Sequence, residues 1–151
     1  MAGHRAIHVY NRQRTIRLDM PWLRRFAAMA LAECEGEGIV AGAPLESLEE
    51  IEVSVVSDRA IAGVHRRFMD IAGATDVITF DHGEIIISAV TAERYAREHG
   101  ERLEHEIGLY IIHGILHLNG HDDVAEPAAS RMKKRQGAIL RRVVRALDGA
   151  R

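Results

Sequence analysis

At 151 residues the chain has the length of one ordinary domain, able to bury roughly 70% of its unfolded surface, so a single domain over residues 1–151 is expected. A content of 47% hydrophobic and 28% charged residues excludes a disordered or fibrous chain, and a formal net charge of −2 restricts any nucleic-acid affinity to a local patch. One cysteine, Cys34, excludes an internal disulfide framework, and no run approaches the roughly 20 apolar residues that span a bilayer.

The start, MAGHRAIHVYNRQR, carries no apolar stretch behind a basic segment, so a soluble, cytoplasmic protein with no membrane partner is expected. RAIHVY alternates as a first strand does. PWLRRFAAMALAECEG then reads as a helix, with Pro21 in its first turn and Gly36 as its stop. After the loop GEGIVAGAPLE, the segment EEIEVSVVSD puts Ile51, Val53 and Val55 on one face and Glu52 and Ser54 on the other, the pattern of a half-buried strand. Ser57 or Asp58 can cap the helix RAIAGVHRRFM, in which Ile61, Val64 and Phe68 recur at helical spacing. DVITF and EIIIS are β-branched strands joined by the short turn DHG, which predicts a hairpin.

TAERYAREHG reads as a helix ending at Gly100, and residues 101–118 as a second that is apolar nearly all round, the mark of a buried helix. Pro127 opens a last helix, in which Lys and Arg run from Arg131 to Arg145 without an acid among them while Ile139, Leu140, Val143 and Val144 face a core. The order β-α-β-α-β-β-α-α-α predicts an α+β domain, a small mixed sheet of about four strands packed with about five helices.

The chemistry gathers at HGILHLNGHDD, residues 113–123. His113 and His117 stand one helical turn apart on one face, the spacing at which two imidazoles reach one cation. Gly120 allows the left-handed turn that ends a helix and brings His121, Asp122 and Asp123 back toward that face. The pattern H-x-x-x-H-x-x-G-x-x-D has the geometry of extended zinc motifs in which a ligand follows the glycine by three residues, so Asp123 is expected as third ligand. Three protein ligands leave an open position for water, as a catalytic site requires. In the protease motif H-E-x-x-H a glutamate beside the first histidine is the general base; here that place is Gly114, and another hydrolysis is favoured. His121 has three readings: a surface histidine, an alternative ligand, or a substrate contact.

The same stretch resembles the signature H-G-x-L-H-L-x-G-Y-D-H of the YbeY family, bacterial rRNA maturation factors that are single-strand-specific, metal-dependent endoribonucleases. TDVITF is similar to the family's T-D-V-L-S-F, GEIIIS to its G-D-I-V-I-S, and MKKRQGAIL sits where the family has a Met-containing closing helix. His113 and His117 carry over as ligands, whereas Asp123 holds the third position with a different donor and His121 replaces a tyrosine. An oxygen donor there broadens the metal choice beyond zinc. An arginine linked to RNA handling in the family falls at Met69, and Arg66 and Arg67, a turn or less away, are candidates to substitute.

The resemblance implies a metal-dependent endoribonuclease acting in rRNA maturation and ribosome assembly. It would hold one Zn²⁺, or another divalent ion, on His113, His117 and Asp123, with Arg66, Arg67 and His121 at the substrate and RNA and the ribosome as partners. No general base is assigned. The alternatives are a non-catalytic ribosome-associated assembly factor with a structural metal and a small metallopeptidase. Asp76, in the T-D pair, either orients a ligand or secures the start of its strand; the basic run of the last helix is a second candidate RNA surface. Aromatic residues, at 5%, look too few for a stacking platform.

Overall fold

The computed structural model of the chain describes residues 5–69, 75–121 and 124–149. Four strands and six helices follow one another among these residues: β1 (Ala6–Asn11), α1 (Met20–Gly36), α2 (Pro44–Ser47), β2 (Glu50–Val56), α3 (Asp58–Met69), β3 (Val77–Phe80), β4 (Glu84–Ser88), α4 (Ala89–Glu98), α5 (Leu103–Leu118) and α6 (Ala128–Asp148). The sheet is mixed, in the order β1-β2-β4-β3, with β1-β2 and β2-β4 parallel and β3-β4 antiparallel. This is the α+β architecture expected from the element order. The single turn α2, opened by Pro44, adds to it a helix too short to show periodicity.

Register explains the two layers. Val9, Val53 and Ile85 share a row on one face, flanked by Ile51, Val55 and Ile87, and all are buried in a core shared with α1 and α5. α1 delivers Trp22, Leu23, Phe26, Ala30 and Leu31 to that core, and α5 delivers Ile107, Ile111, Ile112, Ile115 and Leu116. Each such aliphatic side chain contributes about 1.5–3 kcal/mol by leaving water, so α5 is fixed in position before any ligand is considered.

The opposite face carries α3, whose Ile61 and Val64 pack on Val56, Ile78, Ile86 and Phe80. β2 is therefore more deeply buried than its alternating pattern predicts. Ser54 and Val56 are buried as well, because the crossover helix covers the far side of the sheet and Arg12 lays its guanidinium on Ser54, donating from Nε to Oγ at 3.0 Å. Ser57 is the cap of α3, its Oγ accepting from the Ala60 amide at 3.1 Å. Asp58 has another duty: its carboxylate accepts from the Ser88 and Thr91 hydroxyls, tying α3 to the start of α4.

Candidate metal and RNA site

α5 approaches the sheet closely enough to need glycine at one place. At Gly114 a Cβ would stand 2.6 Å from Ile85 Cδ1 and 2.9 Å from its Cγ1, so no side chain fits between α5 and β4. The place where the protease motif has its glutamate is thus a packing contact, and its glycine has a structural reason. With Gly114 turned to the sheet, His113 and His117 lie on a partly exposed flank of α5.

Their surroundings differ. His113 Nδ1 donates to the Gln136 side-chain oxygen on α6 at 3.0 Å, which keeps the ring proton on Nδ1 and the lone pair of the neutral imidazole on Nε2. His117 turns Nε2 toward Asp81 Oδ1, 3.9 Å away, on the turn between β3 and β4. Gly83, closing that turn, donates to Phe80 O at 2.9 Å and holds the hairpin tip beside α5.

The helix end is built as expected. Gly120 has φ +87°, its amide donates to His117 O at 3.0 Å, and the His121 amide donates to Leu116 O at 3.0 Å, the paired bonds of a Schellman turn. Buried Asn119 adds a staple, donating to Gly38 O at 3.0 Å and accepting from the Val40 amide at 2.9 Å. The backbone leading out of His117 is thereby held to the loop after α1. His121 is half-buried; burial lowers its pKa, the Arg135 guanidinium lowers it further, and Glu37 opposes both.

Asp123 lies outside the described residues, as does Asp122, so the expected third ligand has no position here. Among the described residues no group of three or more His, Cys, Asp or Glu side chains is arranged to hold a metal. What they provide is two imidazoles on one helix face, one of them oriented by a carbonyl oxygen through its second nitrogen. That is the usual outer arrangement of a histidine ligand, and the donor chemistry fits a divalent cation.

Arg66 and Arg67 are exposed on the last turn of α3, on the other side of the sheet from the core; Arg67 Cζ lies 5.5 Å from the Phe68 ring centre, and Met69 is exposed beside them. Asp76 has a local role. Its Oδ1 accepts from the Val77 amide at 2.7 Å, and its carbonyl accepts from Ser88 N at 2.9 Å, which secures the start of β3. The basic run on α6 is in part internally neutralised: Arg135 pairs with Glu37 at 2.7 Å, and Arg142 with Glu33 at 3.1 Å and Glu37 at 3.0 Å, both acids on or just after α1. Those arginines clamp two helices together, which weakens the case for a continuous RNA surface there.

Two residues of the site escaped the sequence reading. Gln136 carried a signal, because it interrupts the apolar stripe formed by Met132, Ile139 and Val143 on α6. Asp81 carried none beyond its place in a turn.

The sequence profile described as endoribonuclease YbeY matches residues 8–144. The endoribonuclease YbeY of Thiobacillus denitrificans is 38% identical over 109 residues, covering 66% of this chain and 74% of that one. That of Heliobacterium modesticaldum is 36% identical over 121 residues, covering 66% and 72%, and that of Pelotomaculum thermopropionicum 31% over 134 residues, covering 78% and 82%. Among solved structures, the solution structure of TM1509 from Thermotoga maritima superposes with a TM-score of 0.57 at 23% identity and covers 93% of each chain, a likeness of fold.

Proposed function

The chain belongs to the endoribonuclease YbeY family, a hydrolase acting on RNA, and from that premise we propose that it cuts single-stranded RNA with a divalent metal held on α5 and acts in ribosomal RNA maturation. The observation that carries the metal reading is the His113 and His117 pair on one flank of α5, with Gln136 orienting the first ring.

His113, His117 and Asp123 would hold the ion, Zn²⁺ or another divalent cation. The chemistry such an ion supplies is Lewis-acid polarisation of a phosphate oxygen and activation of water as nucleophile. The chain's own residues supply the rest. Gln136 fixes the ring of His113, and the Schellman turn with Asn119 fixes the path out of His117. Arg66 and Arg67 offer guanidinium groups to the phosphate backbone, which positions a strand without reading its sequence. His121, half-buried beside Arg135, is suited to a hydrogen bond with substrate. The ribosome is the partner this reading assigns. No helix among the described residues is long and apolar enough to cross a membrane.

A peptidase reading is disfavoured by the contact of Gly114 with Ile85, which leaves no room for a glutamate at that position. The test pairs elemental analysis with cleavage of a labelled single-stranded RNA, for the natural sequence and for Asp123→Ala. About one transition-metal ion per chain, loosened in the variant together with cleavage, supports the proposal. Cleavage unchanged in Asp123→Ala removes Asp123 from the ligand set. Unfolding on chelation would mark the metal as structural and favour an assembly factor.

A further inference from the structure

Phe68, in the last turn of α3, has 62% of its surface exposed, next to exposed Met69. Its ring meets Phe80 edge-on at 5.5 Å between centres, and Phe80 in turn stacks on His82 at 5.4 Å with 13° between planes. Two of the chain's three phenylalanines are thus gathered in one row of rings on the surface, despite the low aromatic content. Asp81, between Phe80 and His82 in the chain, is the residue that faces His117. The row is thus linked through the β3-β4 turn to the residue that faces His117.

Charge gives the row a direction. At one end the Arg67 guanidinium lies 5.5 Å from the Phe68 ring, with Arg66 next to it. At the other, His82 pairs with Glu84 at 2.9 Å, and Glu50 and Glu52 line the same cleft. A polyanion is drawn to the first end and repelled from the second.

Exposed rings beside guanidinium groups are what proteins use to hold unpaired strands: every base has a face to stack, and the cations follow the phosphates. A duplex offers no such faces, because its bases are already stacked on each other. We infer that Phe68, supported edge-on by Phe80 and flanked by Arg67, is a stacking platform for a base of single-stranded RNA next to the cleaved phosphate, and so a determinant of the preference for single strands. The inference rests on the ribonuclease reading and adds a positioning residue to it.

The test uses the full chain as the natural sequence, Phe68→Ala and Phe68→Trp, with circular dichroism to confirm folding. Cleavage is followed on a labelled single-stranded oligoribonucleotide, on the same strand with one abasic site, and on one carrying 2-aminopurine. Phe68→Ala is expected to raise KM about tenfold or more with little change in kcat, and Phe68→Trp to restore it. The 2-aminopurine signal should be quenched on binding to the natural sequence and to Phe68→Trp, but not to Phe68→Ala. If Phe68→Ala keeps its KM and its quenching, the platform is overturned while the ribonuclease reading stands. The platform also fails if Phe68→Ala weakens the abasic strand as much as the intact one. A natural sequence that neither binds nor cuts RNA overturns the ribonuclease reading, and the platform with it.

Discussion

Gln136 reaches from α6 to His113 on α5, accepting from Nδ1 at 3.0 Å across 23 residues of chain. The bond sets both the tautomer and the angle of the ring. Replacing the amide by a carbon side chain of similar size, Gln136→Leu, removes the acceptor and leaves the half-buried packing. The variant should stay folded and bind its metal about 10–100-fold more weakly, the usual cost of losing the partner behind a histidine ligand. Titration against a competing chelator measures this. An unchanged affinity would mean that Gln136 serves packing alone.

Gly114→Ala tests the contact between α5 and β4. Alanine favours a helix by about 1 kcal/mol over glycine. Its Cβ, however, would stand 2.6 Å from Ile85 Cδ1 and 2.9 Å from its Cγ1, so the buried isoleucine must shift. Overpacking of this kind costs about 1–3 kcal/mol, so the net effect expected is a loss, of the order of 1 kcal/mol. Urea unfolding of the two proteins decides it, and a stabilised variant would show that the helix can move away from the sheet.

Trp22, the only tryptophan, donates from Nε1 to Asp148 Oδ1 at 2.9 Å, and His105 Nε2 lies 3.4 Å from the other carboxylate oxygen. The indole bond first, then His105 and Arg102, hold the Asp148 carboxyl below its ordinary value of 3.8, with burial opposing. A depressed carboxyl contributes stability that is present above its unfolded value and lost as the pH falls through its folded value. The loss therefore belongs below pH 3.8. The effect is small, because the group is substantially exposed to screening water. Trp22 fluorescence should report it as an acid-side change that is absent in Asp148→Asn, and the same change in both proteins would place the titration elsewhere.

Cys34 is buried on α1, and burial, reinforced by Glu37 and Glu33, pushes its thiol up to about 12. Little thiolate exists at neutral pH, and thiolate is the reactive form. The native protein should give no reaction with a thiol reagent over the time in which the denatured chain gives one group per chain. Rapid labelling of the native protein would show that the end of α1 opens.

Legibility in the sequence followed locality. The β3-β4 hairpin could be read because both strands are β-branched and the three residues between them are turn formers. The Schellman turn at Gly120 was legible for the same reason. β2 was read as half-buried because its alternation is visible, whereas the helix that covers its polar side is a tertiary fact. The basic run on α6 looked like a nucleic-acid surface because its acidic partners, Glu33 and Glu37, lie about 100 residues away. The histidine pair was visible at helical spacing, yet Gln136 and Asp81 come to it from other elements, and nothing in local periodicity announces such meetings.

The last strand ends at Ser88, and the groups that surround His113 and His117 extend to Gln136. A chain leaving the ribosome N-terminus first can complete its sheet well before the helix that orients His113 has been synthesised. The ring of His113 therefore gains its hydrogen-bond acceptor only when α6 has formed, so the sheet can exist before that side chain is oriented.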